Sequence, residues 1–308
     1  MRVYTADGKR MTHDGYNWPS VPRVDSVTVA ALTAELQGAL GDASARQAHD
    51  IIAALLDVPR FWPSSNAAEL VEQTVCDAAR RAVAKLQRGA PFQYAVGRAT
   101  FRHLTLDVDE RVLIPRPETE VLVDEVLRLA QSGGTVGGVA VDVGTGSGAI
   151  ALSLASEGRF ARVIGTDVSR DAIEVARRNA TLVTGALRAE VEFRHGSLLG
   201  PVSGMAVAAI VSNPPYIAHA EATALPASVR DWEPALALFS GGDGMDATRA
   251  IVRGAAGLLQ PGGILALEVD TRRAMLAAEL VATDVRYCDV AVRLDLTGRE
   301  RFVLARRA

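Results

Sequence analysis

Residues 141–152 read VDVGTGSGAIAL. An apolar run stops at Gly144, glycines alternate through Gly146 and Gly148, and a run of apolar and small residues follows. Glycine tolerates positive φ and lets a ligand approach the backbone, and the N-terminus of the helix that follows offers free N–H groups. A strand, a glycine turn and a helix in that order open a doubly wound α/β fold, whose ligands sit beyond the carboxyl ends of the strands. A nucleotide-like cofactor is therefore expected at this turn. Gly144-x-Gly146-x-x-Ala149 also satisfies the loose dinucleotide fingerprint, and a turn that serves packing alone is the plainer alternative. Two carboxylates narrow the choice. Asp142 lies within the strand, and Asp167 ends the next one, where a carboxylate can accept both ribose hydroxyls. The whole pattern D-x-G-x-G-x-G favours S-adenosylmethionine over a nicotinamide cofactor.

Outward from the turn, strands and helices alternate. VAVDVG is a buried strand, SGAIALSLASEG a helix, ARVIGTDV a strand, and RDAIEVARRNATLV a helix with Ser169 as N-cap. Strands AEVEFR and AVAAIVS follow, then an irregular segment over 217–245, a helix ATRAIVRGAAGLL and a strand ILALEVD. This alternation predicts a mostly parallel sheet covered by helices on both faces. On the N-terminal side, ETEVLVDEVLRLA reads as a helix entered through Pro115 and Pro117. Residues 89–116 read as a linker with a two-stranded hairpin, turning around Gly97 and Asp109-Glu110. Over 25–88 the periodicity is helical, with Val29, Leu32, Leu36 and Leu40 on one face and Ile51, Ile52, Leu55 and Leu56 on another. Leu70, Val71, Val75, Val83 and Leu86 mark a third helix, opened by an Asn66/Glu69 capping pair. The expected domains are a poorly ordered tail over 1–24, a small helical domain over 25–88, the linker over 89–116 and the cofactor domain over 117–308.

A second motif, Asn213-Pro214-Pro215-Tyr216, follows strand AVAAIV, again on the ligand side of the sheet. Consecutive prolines fix φ and remove two donors, which leaves carbonyls held as acceptors. Such a corner suits an NH₂ group. The side-chain oxygen of Asn213 and the carbonyl of Pro214 can each take one N–H, while Tyr216 packs on the flat face of an amide or ring. An amide nitrogen is a poor nucleophile because its lone pair is delocalised. Acceptors that draw on both protons favour a pyramidal nitrogen and stabilise the charge that grows as it is alkylated. No metal and no strong base is needed. The bland alternative is an X-Pro-Pro turn that merely ends a strand.

Composition excludes several classes. With 49% hydrophobic and 22% charged residues the chain is not wholly disordered. No apolar run reaches the roughly 18 residues of a spanning helix, and the first twenty residues contain no secretory apolar core, so a cytoplasmic protein is expected. A net charge of −3 argues against a duplex nucleic-acid substrate. Cys76 and Cys288 are far apart and read as core residues. The histidines, His13, His49, His103, His195 and His219, lack metal-ligand spacing, so no metal is expected.

From about 91 to 303 the chain resembles the glutamine N5-methyltransferases that modify peptide chain release factors, the HemK-like family. The matching pieces stand in family order: PFQYAVG, FRHLTLDVDERVLIPRPETE, VDVGTGSGAIAL, GTDVS, NPPYI, VRDWEPALALFSGGDGM, LLQPGGILALEV and GRERFV. The resemblance implies a Rossmann-like class I methyltransferase domain behind a small N-terminal helical domain. It implies that Gly144, Thr145, Gly146, Ser147 and Gly148 wrap the methionine part of S-adenosylmethionine, that Asp167 holds the ribose and that Leu198 lies beside the adenine, with Asn213 also near the cofactor. Asn213, Pro214, Pro215 and Tyr216 would receive the glutamine amide. Phe101, Arg116, Pro117 and Thr119 would border the substrate pocket, and the N-terminal helices would dock a release factor whose Gly-Gly-Gln loop enters the site. Two positions depart from the family pattern: Ser197 stands where an acid often meets the adenine amino group, and Asp270 replaces a glycine. Glu233-Pro234 and Gly241 to Gly244 either shape the long loop or touch substrate. The alternatives are a ribosomal-protein glutamine methyltransferase, an adenine-N6 nucleic-acid methyltransferase and a cofactor-binding paralogue with weakened catalysis.

Overall fold

The computed structural model describes residues 26–41, 45–132 and 137–308, so the tail expected over 1–24 lies outside the described residues. The chain divides into two units between Val83 and Ala84. In the first, β1 (Val27–Thr28) leads into α1 (Val29–Leu40), which Thr28 caps by accepting from the Ala31 N–H at 3.2 Å. Next come α2 (Ala45–Leu56), α3 (Trp62–Ser65), β2 (Leu70–Val71) and α4 (Gln73–Gln87), whose residues from Ala84 onward belong to the second unit. Val29, Leu32 and Leu36 bury one stripe and Ile51 and Ile52 another, as the periodicity predicts. The third helix is shorter than expected, and Asn66 does not open it. The Asn66 Nδ2 instead donates to the Trp62 carbonyl and closes α3. Leu70 and Val71 pair antiparallel with Thr28 and Val27, and the helix begins only at Gln73.

The second unit holds α5 (Phe92–Val96), β3 (Arg98–Phe101), β4 (Leu104–Asp107) and α6 (Pro117–Ser132). The hairpin turns at Arg102-His103, with Arg102 at φ 53°, rather than around Gly97 or Asp109-Glu110. Arg102 accepts that backbone because its guanidinium is anchored to the Glu157 carboxylate at 2.6 and 2.7 Å. The α/β layers follow: β5 (Val139–Val143), α7 (Ala149–Glu157), β6 (Arg162–Asp167), α8 (Arg170–Leu182), β7 (Glu190–His195) and β8 (Val207–Ser212). Short helices α9 (Ala227–Arg230) and α10 (Ala235–Leu238) interrupt the irregular segment. Beyond them lie α11 (Asp246–Ala255), β9 (Leu259–Glu268), α12 (Ala274–Ala282), β10 (Tyr287–Leu294) and β11 (Glu300–Arg307).

The seven-stranded sheet has the order β10-β11-β9-β8-β5-β6-β7. Strands β5 to β9 run parallel, and β11 is antiparallel to both β9 and β10. Alternation along β5 serves two cores. Ala140 packs with Leu122 and Val126 of α6, Leu152 of α7 and Ile173 of α8, whereas Val141 and Val143 pack with Ile251 of α11 and Val281 of α12. Both faces are therefore covered, the doubly wound arrangement expected. Chain order runs outward from β5 through β6 to β7 and then returns to β8 on the other side. The switch point, where such sheets bind ligands, thus lies between the carboxyl ends of β5 and β8. No helix among the described residues is long and apolar enough to cross a membrane. Cys76 is buried as expected, but Cys288 is exposed because it lies on the edge strand β10.

Candidate active site

The glycine turn sits at the end of β5 and is held from both sides. The Gly144 and Thr145 N–H groups donate to the Thr166 carbonyl of β6, and the Gly146 N–H donates to Asp167 Oδ2 at 2.9 Å. Below the turn, Asp142 Oδ2 accepts from Thr145 Oγ1 at 2.6 Å and from the Ala151 N–H at 3.1 Å. Asp142 is fully buried and its Oδ1 has no partner, so burial pushes its carboxyl up to about 7. From α8, the buried Asn179 donates to the carbonyls of Ser147 and Asp107 and accepts from the Asp107 N–H, tying turn and hairpin together. Sequence reading missed Asn179, since nothing local in RRNATL marks its partners 32 and 72 residues away.

The glycines divide by what a side chain would meet. Gly144 and Gly146 have φ of 74° and 53°, and a Cβ on either would project into open space. A Cβ on Gly148, at φ 85°, would press on Leu152, Phe193 and Ala176 within 3.4 Å. The first two glycines therefore clear room for a ligand, and the third lets α7 pack close. The cleared room is a cavity of about 190 Å³ lined by Gly144, Gly146, Asp167, Leu198 and Asn213 among others. Thr145, Ser147 and Gly148 do not line it; the two hydroxyl residues are buried beneath the turn. Asp167 is held by the Gly146 and Ser169 N–H groups, which partly offset the upward pull of burial on its carboxyl. Leu198 adopts φ 47° and its carbonyl accepts from Thr166 Oγ1, which presents the Ser197-Leu198 corner to the same cavity. Open Cβ space above two glycines, an acceptor carboxylate at the end of β6 and an apolar corner beyond it fit S-adenosylmethionine.

Asn213 follows β8 directly. It lines this cavity and also a second one of about 90 Å³, which adds Arg116, Tyr216 and Val229. Leu113, Asn213 and Ala237 belong to the walls of both. Pro215 lines the larger cavity, whereas Pro214 is buried and lines neither, and among the described residues none donates to its carbonyl. Burial, reinforced by the nearby Glu268, pushes the Tyr216 phenol up to about 12, which keeps it a neutral packing surface. The Asn213 Nδ2 donates to Thr119 Oγ1 at 3.1 Å, and Thr119 Oγ1 donates to Glu268 Oε2 at 2.7 Å. Burial pushes the Glu268 carboxyl up to about 7 despite that bond and the nearby Arg301. Arg116 Nη2 reaches both oxygens of Glu233 at 2.6 and 2.7 Å, and the Glu233 side chain is only 1% exposed. Phe101 does not join the site: it is buried in the core with Leu104, Leu106 and Leu122 and lines neither cavity. Its place in β3 points it inward, which the hairpin's misplaced turn concealed.

The chain matches the family model "Methyltransferase small domain" over residues 118–230. It is 43% identical over 243 residues to the release factor glutamine methyltransferase of Moorella thermoacetica, covering 78% of this chain and 84% of that one. Identity to the namesake from Deinococcus radiodurans is 44%, covering 75% of this chain and 81% of that one. The chain belongs to the release factor glutamine methyltransferase family. Among solved structures, the hMettl16 catalytic domain is similar in fold, with a TM-score of 0.50 at 13% identity over 78% of this chain and 84% of that chain.

Within a release factor glutamine methyltransferase the two departures become intelligible. Asp270 caps the turn Thr271–Arg273 by accepting from the Arg272 N–H, and it pairs with the guanidinium groups of Arg272 and Arg273. Those bonds outweigh burial and hold its carboxyl below the ordinary range, so the added charge is neutralised where it stands. Arg272 and Arg273 also grip Glu221, and the Arg273 Nε donates to the Asp243 carbonyl, which pins two points of the irregular segment beside the site. Ser197 lines the larger cavity as a neutral hydroxyl in place of an acid. Trp232 packs against the cluster around Tyr94 and Val108, and the Arg88 guanidinium lies 5.8 Å from its ring centre.

Proposed function

We propose that this chain methylates the side-chain amide nitrogen of the glutamine in the Gly-Gly-Gln motif of peptide chain release factors, in the cytoplasm. The observation that carries the proposal is Asn213 standing in the wall shared by the two cavities. S-Adenosylmethionine, when bound, supplies an electrophilic methyl group. The residues to hold it are Gly144, Gly146, Asp167, Ser197 and Leu198, around the larger cavity. The smaller cavity takes the glutamine carboxamide. Asn213 Oδ1 accepts one of its N–H groups and the Pro214 carbonyl the other, while Tyr216 lies against the amide plane. Both acceptors gain strength as positive charge develops on the nitrogen, so they stabilise the transition state more than the ground state. Fixing the nitrogen at the joint between the cavities removes the orientational cost of the encounter. No side chain has to act as a strong base, because the alkylated nitrogen becomes acidic enough to release its proton to water.

The test is incubation of the full chain with S-adenosylmethionine labelled in its methyl group and, separately, a purified release factor, ribosomal protein and DNA. Label on the glutamine of Gly-Gly-Gln supports the proposal. Label confined to the ribosomal protein or to DNA, or binding without transfer, overturns it.

A further inference from the structure

We infer that Thr119 and Glu268 are positioning residues that lock the Asn213 carboxamide with its oxygen toward the amide pocket, making the site select a carboxamide over a carboxylate. The inference rests on the proposed role of Asn213 as the residue that receives the glutamine amide. A threonine hydroxyl has one proton, and while Glu268 is ionised and can only accept, that of Thr119 is committed to Glu268 Oε2 at 2.7 Å inside a buried pocket. What remains on Thr119 Oγ1 is acceptor capacity. The group of Asn213 that meets it at 3.1 Å must therefore be the NH₂. Rotating the carboxamide by half a turn would set two lone pairs against each other and leave an N–H without its partner. Oδ1 is thereby the group left for the amide pocket, whose wall Asn213 shares with the larger cavity.

The chain of bonds crosses three elements. Thr119 lies in the first turn of α6, Asn213 follows β8, and Glu268 ends β9. Neither Thr119 nor Glu268 lines either cavity, so their influence on the substrate passes through Asn213. The consequence is discrimination. A glutamine amide offers N–H groups to a fixed oxygen, whereas a glutamate carboxylate offers only acceptors and meets a like group. A site that leaves a buried polar pair unmatched rejects the wrong ligand strongly. An asparagine free to turn would lose that selectivity, because it could then donate to the acid.

The test uses the full-length protein, a release factor with its natural Gly-Gly-Gln loop as substrate, and the same factor reading Gly-Gly-Glu as a competitive inhibitor. Thr119→Val removes the hydroxyl at nearly constant volume, and Thr119→Ser keeps it. The expected result for Thr119→Val is a kcat lower by about 10- to 100-fold, the scale for loosening one oriented partner. S-Adenosylmethionine affinity should be unchanged, and the ratio of the Gly-Gly-Glu inhibition constant to the Gly-Gly-Gln KM should fall at least about 5-fold. Thr119→Ser should restore both. Adding Thr119→Val to Asn213→Ala should cost nothing further, since the hydroxyl acts through the missing amide. An unchanged selectivity ratio in Thr119→Val, or a full additional loss in the double variant, overturns the inference while leaving the proposed function standing. Absence of label on the natural loop with the unaltered protein overturns both.

Discussion

Arg116 and Glu233 offer the sharpest quantitative test of how the segment beside the site is held. The Glu233 side chain is 1% exposed and its partner 32%, so the carboxylate is the buried member and the guanidinium the wetter one. Removing the arginine strands an anion. Arg116→Met leaves Glu233 two escapes: to drag its segment into water or to take up a proton. The second sets a ceiling on the cost. From an ordinary carboxyl value of 4.5 to pH 7, at about 1.4 kcal/mol per unit, the penalty is capped on the order of 3 kcal/mol. This lies at the lower end of the ~3–5 kcal/mol typical of a broken buried pair. The sign follows from proton counting. Burial already raises the Glu233 carboxyl in the unaltered chain despite Arg116, so the deficit grows with pH only once that carboxyl has ionised in the unaltered protein while the folded variant still holds its proton. It nearly vanishes at lower pH, where both are protonated. The double variant Arg116→Met/Glu233→Met carries no stranded charge and should recover most of the loss. Urea unfolding at pH 5.5 and pH 7.5, followed by the fluorescence of the adjacent Trp232, measures both effects. A deficit equal at the two pH values, or a double variant no more stable than the single, would refute the reasoning.

Two further outcomes follow from the glycine turn and its support. Gly146→Ala and Gly148→Ala each pay about 1–2 kcal/mol for a left-handed backbone, but only the second drives a methyl group into Leu152, Phe193 and Ala176. Thermal unfolding should therefore fall further for Gly148→Ala, and calorimetric titration with S-adenosylmethionine should show the greater affinity loss relative to stability for Gly146→Ala. Asp142 keeps its proton in the folded chain up to about pH 7, whereas the unfolded chain releases it near 3.8. Its contribution to stability accordingly declines as pH rises across that window, by on the order of 1 kcal/mol per unit. Glu268 adds a second slope of the same sign. Asp142→Asn should flatten the dependence measured by denaturant unfolding between pH 5 and 7; an unaltered slope would remove Asp142 as its source.

What the sequence made legible was the part encoded in short, strongly patterned runs. The glycine turn, the Asp167 strand end and the Asn213 corner are each contiguous motifs whose spacing reflects the geometry they adopt, and they meet at one switch point. Reading failed where neighbours in space decide. Asn66 and Glu69 look like a helix opening, but a two-residue strand pairing with Val27 and Thr28 claims the backbone there. The hairpin turn was misplaced because Arg102, a residue unsuited to positive φ, holds that conformation through Glu157, 55 residues away. Strands β10 and β11 lie beyond the last strand read from the sequence, and register shifts interrupt their pairing. Thr119 and Glu268 stand 149 residues apart, and no local pattern could announce that one hydroxyl joins them to Asn213.

The strand order carries a consequence for how the molecule comes into being. β11 is made after β9 and β10 yet is inserted between them. A nascent chain that has synthesised β9 and β10 must keep the two apart, with the outer edge of β9 bare, until the later segment slides in and hydrogen-bonds to both. Biogenesis is thus gated by its last strand: a transcript cut before Glu300 would yield a product whose parallel layers exist but whose open margin invites the wrong neighbour.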